Sequence, residues 1–108
     1  MTTTWRKRAY DTFGFKPGGY SYSNGKVELF GDLRDMAKRA VACGDTNMLD
    51  RIFDYAMWAD SQNAEGLRSA ADIEFFMPVC RDPELVQAAE SRMPSEVLIQ
   101  KHTLLVGD

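Results

Sequence analysis

A chain of 108 residues has the size of one domain and is long enough to bury a core without covalent staples. Its composition, 44% hydrophobic and 27% charged, is ordinarily globular and argues against whole-chain disorder, and no apolar run approaches the roughly 20 residues of a membrane span. The net charge of -3 conceals an asymmetry: residues 1–26 carry five basic side chains against Asp11 alone, whereas the remainder is acidic.

That acidity is steepest between Asp45 and Glu90, where ten carboxylates face only Arg51, Arg68 and Arg81. A field of this sign repels nucleic acid and attracts basic proteins; it also serves simply to keep a protein soluble. Two cysteines without metal-type spacing and a single histidine leave neither a disulfide framework nor a zinc site. The expectation is a cytoplasmic protein with reduced thiols and no cofactor. The opening MTTTWRKRAYD has a charged patch but no apolar segment behind it, unlike a signal peptide.

In chain order, residues 4–13 predict a short helix capped by Thr3 or Thr4, with Trp5, Ala9 and Phe13 on one side. Residues 14–26, GFKPGGYSYSNGK, are too rich in Gly, Pro and Ser for a helix. Tyr20 and Tyr22 alternate with serines ahead of Asn24-Gly25, which suits a short extended piece and a turn. The whole of residues 1–26 reads as an ordered, basic, aromatic-rich arm packed on a helical body. Six of the twelve aromatics fall before residue 23 among basic side chains, a pattern that suits single-stranded nucleic acid. The acidic body and the lack of any nucleic-acid-binding motif weigh more heavily against that partner.

Val27 to Cys43 is cleanly amphipathic, with Leu29, Phe30, Leu33, Met36, Ala37, Ala40 and Val41 on one arc and Glu28, Asp32, Asp35, Lys38 and Arg39 on the other. Asp35 and Arg39 stand four apart in the stabilising orientation. Gly31 on the polar side has no packing reason in the sequence, and a close crossing by another segment is one explanation. Gly44 then closes this helix and Asp45 caps the next. In Asp45–Ser61, helical phase puts Leu49, Ile52, Phe53, Ala56 and Ala59 inward and Asn47, Asp50, Asp54 and Ser61 outward, with Trp58 among the polar set.

A helix follows from about residue 64 to Met77, its apolar arc formed by Leu67, Ala70, Ala71, Ile73 and Met77, with Phe75 and Phe76 off the arc and Pro78 ending it. Glu74 falls inside the arc and reads as a buried, paired structural carboxylate, with Arg34 or a basic residue of the arm as partner. Asp82-Pro83-Glu84 is a strong helix start, and the helix carrying Leu85, Val86, Ala88 and Ala89 runs to about Arg92. Val97 to Leu105 forms a last helix with Val97, Leu98, Leu104 and Leu105 as its apolar contribution. The architecture expected is all-α: about five helices in an antiparallel α-hairpin stack, HEAT-like or an irregular bundle, behind the aromatic arm.

Catalytic signatures are absent: no nucleophile elbow, P-loop, zinc-protease motif or dinucleotide fingerprint occurs. Cys80, whose thiol Arg81 stands to activate, Glu74 and His102 are nominal candidates that would have to converge in one pocket to act.

The run GFKPGGYSYSNGKVELFGDL, the following ACGD and LDRIFDYAMW segments and the helix ending EFFMP resemble a family of small bacterial helical domains associated with immunity proteins of polymorphic or contact-dependent toxin systems. The resemblance spans residues 13–80, is most specific from Gly44 to Tyr55, and supplies no catalytic set. It implies a non-catalytic protein-binding module that neutralises a basic toxin domain. Asn47, Asp50, Asp54 and Trp58 are then the candidate partner-binding residues, a Trp among carboxylates suiting an interface anchor. The competing reading of Trp58 is that the arm covers it. A self-associating structural or adaptor protein, in which the same patch closes a homodimer, is the alternative function.

Overall fold

Helix boundaries in the computed structural model, which describes residues 5–13 and 25–107, follow local cap chemistry. Helix α1 (Trp5–Phe13) places Ala9 and Phe13 in the core and Trp5 at its edge. The Thr3/Thr4 cap and the extended piece at Tyr20 and Tyr22 lie outside the described residues. Helix α2 (Lys26–Cys43) starts where the Gly25 N–H donates to Glu28 Oε1 at 3.2 Å. It stops at Gly44, whose φ of 73° is the left-handed conformation that glycine adopts without strain. The Gly44 and Asp45 N–H groups then close on the Val41 and Ala40 carbonyls, satisfying two acceptors of the last turn. Asp45 Oδ1 accepts the Met48 N–H at 3.1 Å and so starts helix α3 (Thr46–Ser61) after a link of two residues, Gly44 and Asp45.

Among the described residues every regular element is a helix. Helix α2 is the hub, lying against α3, α4 (Glu65–Ala71), the π-helical turn Asp72–Phe76 and α6 (Pro83–Glu90). Its inner arc of Leu29, Phe30, Leu33 and Ala37 is fully buried, with Met36 and Val41 packed at the margin. Gly31 is not a crossing point: among the described residues an added Cβ would meet only Arg34 of its own helix, at an ordinary 3.8 Å. Asp35 accepts from its neighbour Arg34 Nε at 3.2 Å rather than pairing with Arg39.

The main departure from the sequence-based expectation lies between Ala71 and Pro78. Pro78 does not end the helix; α4, the π turn and α5 (Met77–Arg81) run on as one. An interior proline lacks an N–H and crowds the carbonyl four residues back. A turn widened by one residue provides relief, and here the Met77 N–H reaches back to Asp72 O. The extra residue also rotates the helical phase. Ile73, assigned to the core, is 54% exposed, while Phe75 and Phe76, assigned off the arc, are buried. Phe75 meets Phe53 edge-on at 5.4 Å and Phe76 at the same distance, joining α3 to the π turn.

Asp82 Oδ1 accepts the Glu84 N–H at 3.0 Å and caps α6, with Pro83 in the first turn. Helix α7 (Ser95–Leu105) lies against α5, α6 and the π turn. Val97, Leu98 and Leu105 pack against the core, but Leu104, read as apolar contribution, is 69% exposed. The radius of gyration, 13.1 Å, matches the roughly 13 Å of a compact globule of this length.

The phase shift predicts an inverted ranking of two neighbouring substitutions. Ile73→Ser should change stability by less than about 0.5 kcal/mol, whereas Phe75→Ala should cost about 3–5 kcal/mol. Urea denaturation of the two variants checks this, and an unbroken α-helix through residue 77 would give the opposite order.

Candidate functional site

Helix α3 has two faces of different burial. Leu49, Ile52, Phe53, Ala56 and Ala59 are buried, and Asn47, Asp50, Asp54 and Ser61 are exposed. Trp58 is half-buried on the outer side, with the Arg8 guanidinium 4.6 Å from its ring centroid and the Tyr55 ring at 5.5 Å. One flank of the ring is therefore taken by α1. Two turns towards the start of α3, Arg92, in the α6–α7 link, donates from Nε to Asp50 Oδ1 at 2.8 Å and from Nη1 to the Ala88 carbonyl at 3.0 Å. Asp54 lies one turn from each of Asp50 and Trp58, and no ion pair to it occurs among the described residues.

Tyr55 is a functional neighbour that the sequence reading placed on neither face. It is fully buried, its ring packs against Phe13 and Phe30 at 5.8 and 5.9 Å, and its hydroxyl donates to the Trp5 carbonyl at 2.7 Å. Burial pushes its pKa up, against a smaller downward pull from Arg8. This hydrogen bond ties α1 to α3. Its signal in the sequence is positional: three residues before Trp58, Tyr55 stands at the border of the inner arc and carries a hydroxyl that burial obliges to find an acceptor.

The buried charged group is Lys101, not Glu74. Lys101 is 7% exposed and donates to Asp60 Oδ1 at 2.5 Å and Asp72 Oδ1 at 2.7 Å, with its Nζ 5.1 Å from the Phe76 ring centroid. Burial pulls its pKa down, but the two carboxylates together outweigh that and leave it raised. Glu74 is half-buried, and no hydrogen bond or ion pair to its side chain occurs among the described residues; Arg34, its expected partner, bonds Asp35. Lys101 was legible only as an anomaly, a lysine four residues from both Val97 and Leu105 on the inner side of α7.

The ion pairs redraw the acidic field. Of the ten carboxylates between Asp45 and Glu90, Asp50, Asp60, Asp72 and Asp82 are tied to basic residues from outside that stretch, namely Arg92, Lys101 and Lys38. Among the described residues no ion pair reaches Asp54, Glu65, Glu84 or Glu90, all exposed.

Cys80 is buried, and burial raises its thiol pKa against a smaller lowering by Lys101, so the activation expected from Arg81 is not what this environment does. His102 and Cys43 are exposed, and among the described residues no hydrogen bond joins Glu74, Cys80 and His102 to one another. Nor do the described residues hold a group of three or more His, Cys, Asp or Glu side chains placed for a metal ion. No protein-family model, curated protein or solved structure matches this chain.

Two alkaline titrations follow from this geometry. Lys101 and Tyr55 both have folded pKa values above their unfolded ones, so both contribute stability that is complete below about pH 10 and is lost as pH rises further. Chemical denaturation at pH 8 and pH 11 should show this fall, and Tyr55→Phe with Lys101→Met should flatten it. At neutral pH, Lys101→Met alone should cost about 2–4 kcal/mol, because it leaves two facing carboxylates without their cation. Adding Asp60→Asn and Asp72→Asn should recover much of that loss.

Proposed function

We propose that this chain is a non-catalytic protein-binding module whose outer α3 face, Asn47, Asp50, Asp54 and Trp58, engages a basic partner protein. The observation that carries the reading is the open position of Asp54 beside Trp58. A carboxylate and an indole one turn apart form a surface that combines charge attraction with a large apolar contact. With the resemblance over residues 13–80, the specific form is a cytoplasmic bacterial immunity protein that occludes a basic toxin domain. Nucleic acid and membrane are disfavoured as partners by the exposed carboxylates at Asp54, Glu65, Glu84 and Glu90. The architecture assigned to this module is a stack of antiparallel α-hairpins with the basic N-terminal arm folded on it, supported by the two-residue link at Gly44-Asp45 and the packing of α3 on both α2 and α4.

A second reading, a self-associating adaptor, draws on other residues. Ile99 and Leu104 are 65% and 69% exposed on α7. A symmetric dimer through α7 would cover them, and light scattering separates the two: a monomer that captures one partner supports the first reading, a stable dimer the second.

The test of the first reading is a pull-down from the native host with partner identification, beside a toxicity-rescue assay. A basic partner is expected whose association slows about tenfold or more on Asp54→Lys, with a reduced dependence on salt. Unchanged association kinetics in that variant would remove the α3 face from the reading.

A further inference from the structure

Resting on that reading, we infer that the outer face of α3 is a receptor for arginine side chains of the partner, with Asp54 as the seat and Arg8 as an intramolecular competitor for Trp58. The face declares its chemistry by what it already holds. Asp50, Asp54 and Trp58 follow one another at four-residue spacing, and the two outer members each carry a guanidinium of the same chain: Arg92 on Asp50 at 2.8 Å and Arg8 over Trp58 at 4.6 Å. The middle member, Asp54, is exposed and carries none among the described residues.

Guanidinium suits this arrangement better than ammonium. It is planar, weakly hydrated on its faces, stacks on an indole and offers paired N–H donors in a fork matched to a carboxylate. An incoming arginine that reaches Asp54 can therefore use the carboxylate and the indole together. Lysine would gain the charge attraction and a contact with the ring, but neither the planar stack nor the paired donors. Arg51, on the same helix and exposed, stands three residues from Asp54 without an ion pair to it, so the carboxylate is not taken by its own helix.

Arg8 sits where the second half of that contact would form. Its guanidinium lies over the Trp58 ring, and among the described residues no ion pair joins it to Asp54, so it covers the indole without neutralising Asp54. Helix α1 packs chiefly on α3, which makes the exchange local: Arg8 can leave the ring while Ala9, Phe13 and the Tyr55–Trp5 hydrogen bond keep α1 in place. Binding in trans is then limited by displacement of Arg8, and removing Arg8 strengthens it.

The experiment uses the full chain in a Trp5→Phe background, so that fluorescence reports Trp58 alone, with circular dichroism confirming the fold of each variant. Hexa-arginine and hexa-lysine peptides are the probes, titrated at low salt and at about 0.15 M salt. Hexa-arginine is expected to change Trp58 emission and to bind more tightly than hexa-lysine at both salts. Arg8→Ala should tighten hexa-arginine binding about two- to fivefold, the factor of one exposed cation–aromatic contact. Asp54→Asn should weaken it at least as much. Arg8→Gln, which keeps the length of the side chain, guards against a packing effect and should behave as Arg8→Ala does. Equal affinity for the two peptides would reduce the face to a general acidic field and overturn the inference. Weaker or unchanged binding in both Arg8 variants would overturn the competition. Either failure leaves the broader reading standing if the host partner still depends on Asp54, and absence of a host partner would not alter the peptide result.

Discussion

One widened turn, Asp72–Phe76, sets the packing of the rest of the molecule. The backbone bond from Met77 to Asp72 adds a residue to the turn and lets the chain pass Pro78 without breaking. The resulting rotation sends Phe75 and Phe76 into the core and Ile73 to solvent. It also directs Asp72 toward α7, where it meets Lys101. The same turn touches α2, α4, α5 and α7, so its phase decides which side chains each of those helices faces.

Lys101 is the second dependence. Helix α7 offers the core little apolar surface, since Ile99 and Leu104 point outward and Val97, Leu98 and Leu105 are only half-buried. Its position is specified instead by a cation clamped between Asp60 of α3 and Asp72 of the π turn. A buried ion pair of this kind is a modest source of net stability, because desolvation offsets much of the attraction. Its geometric demand is strong, however: Lys101 can be satisfied only where α3, the π turn and α7 meet. The raised Cys80 thiol nearby belongs to the same dry environment.

Helix α3 joins this framework to the candidate binding face. Its inner residues make the core with α2 and α4, and its last turn supplies Asp60 to the Lys101 clamp. Its outer stripe is therefore presented by a helix held along its length. The structure also makes that stripe less acidic than the bare sequence suggests, because Arg92 and Arg8 lie on its two sides. On the proposed binding reading, selectivity rests less on a broad field than on Asp54, which has no ion pair among the described residues, and the ring one turn away.

The sequence alone determined what depends on neighbours along the chain. Helical phase and cap residues located α2 and α3, the Gly44-Asp45 link and the Asp82-Pro83 start, because these signals act within one or two turns. The outward position of Asn47, Asp50 and Asp54 was legible for the same reason. Tertiary structure decided what depends on distant partners. A periodicity of 3.6 residues contains no sign of a π turn, so Ile73 reads as part of the apolar arc although it is exposed, and Phe75 and Phe76 fall off that arc although they are buried. Nothing local in the sequence shows that Lys101 will find Asp60 and Asp72, 41 and 29 residues away, or that Tyr55 will reach Trp5 across 50. The same holds for Trp58: its place on the polar side of α3 is a matter of phase, but the Arg8 on its ring comes from a separate helix, brought there by the fold.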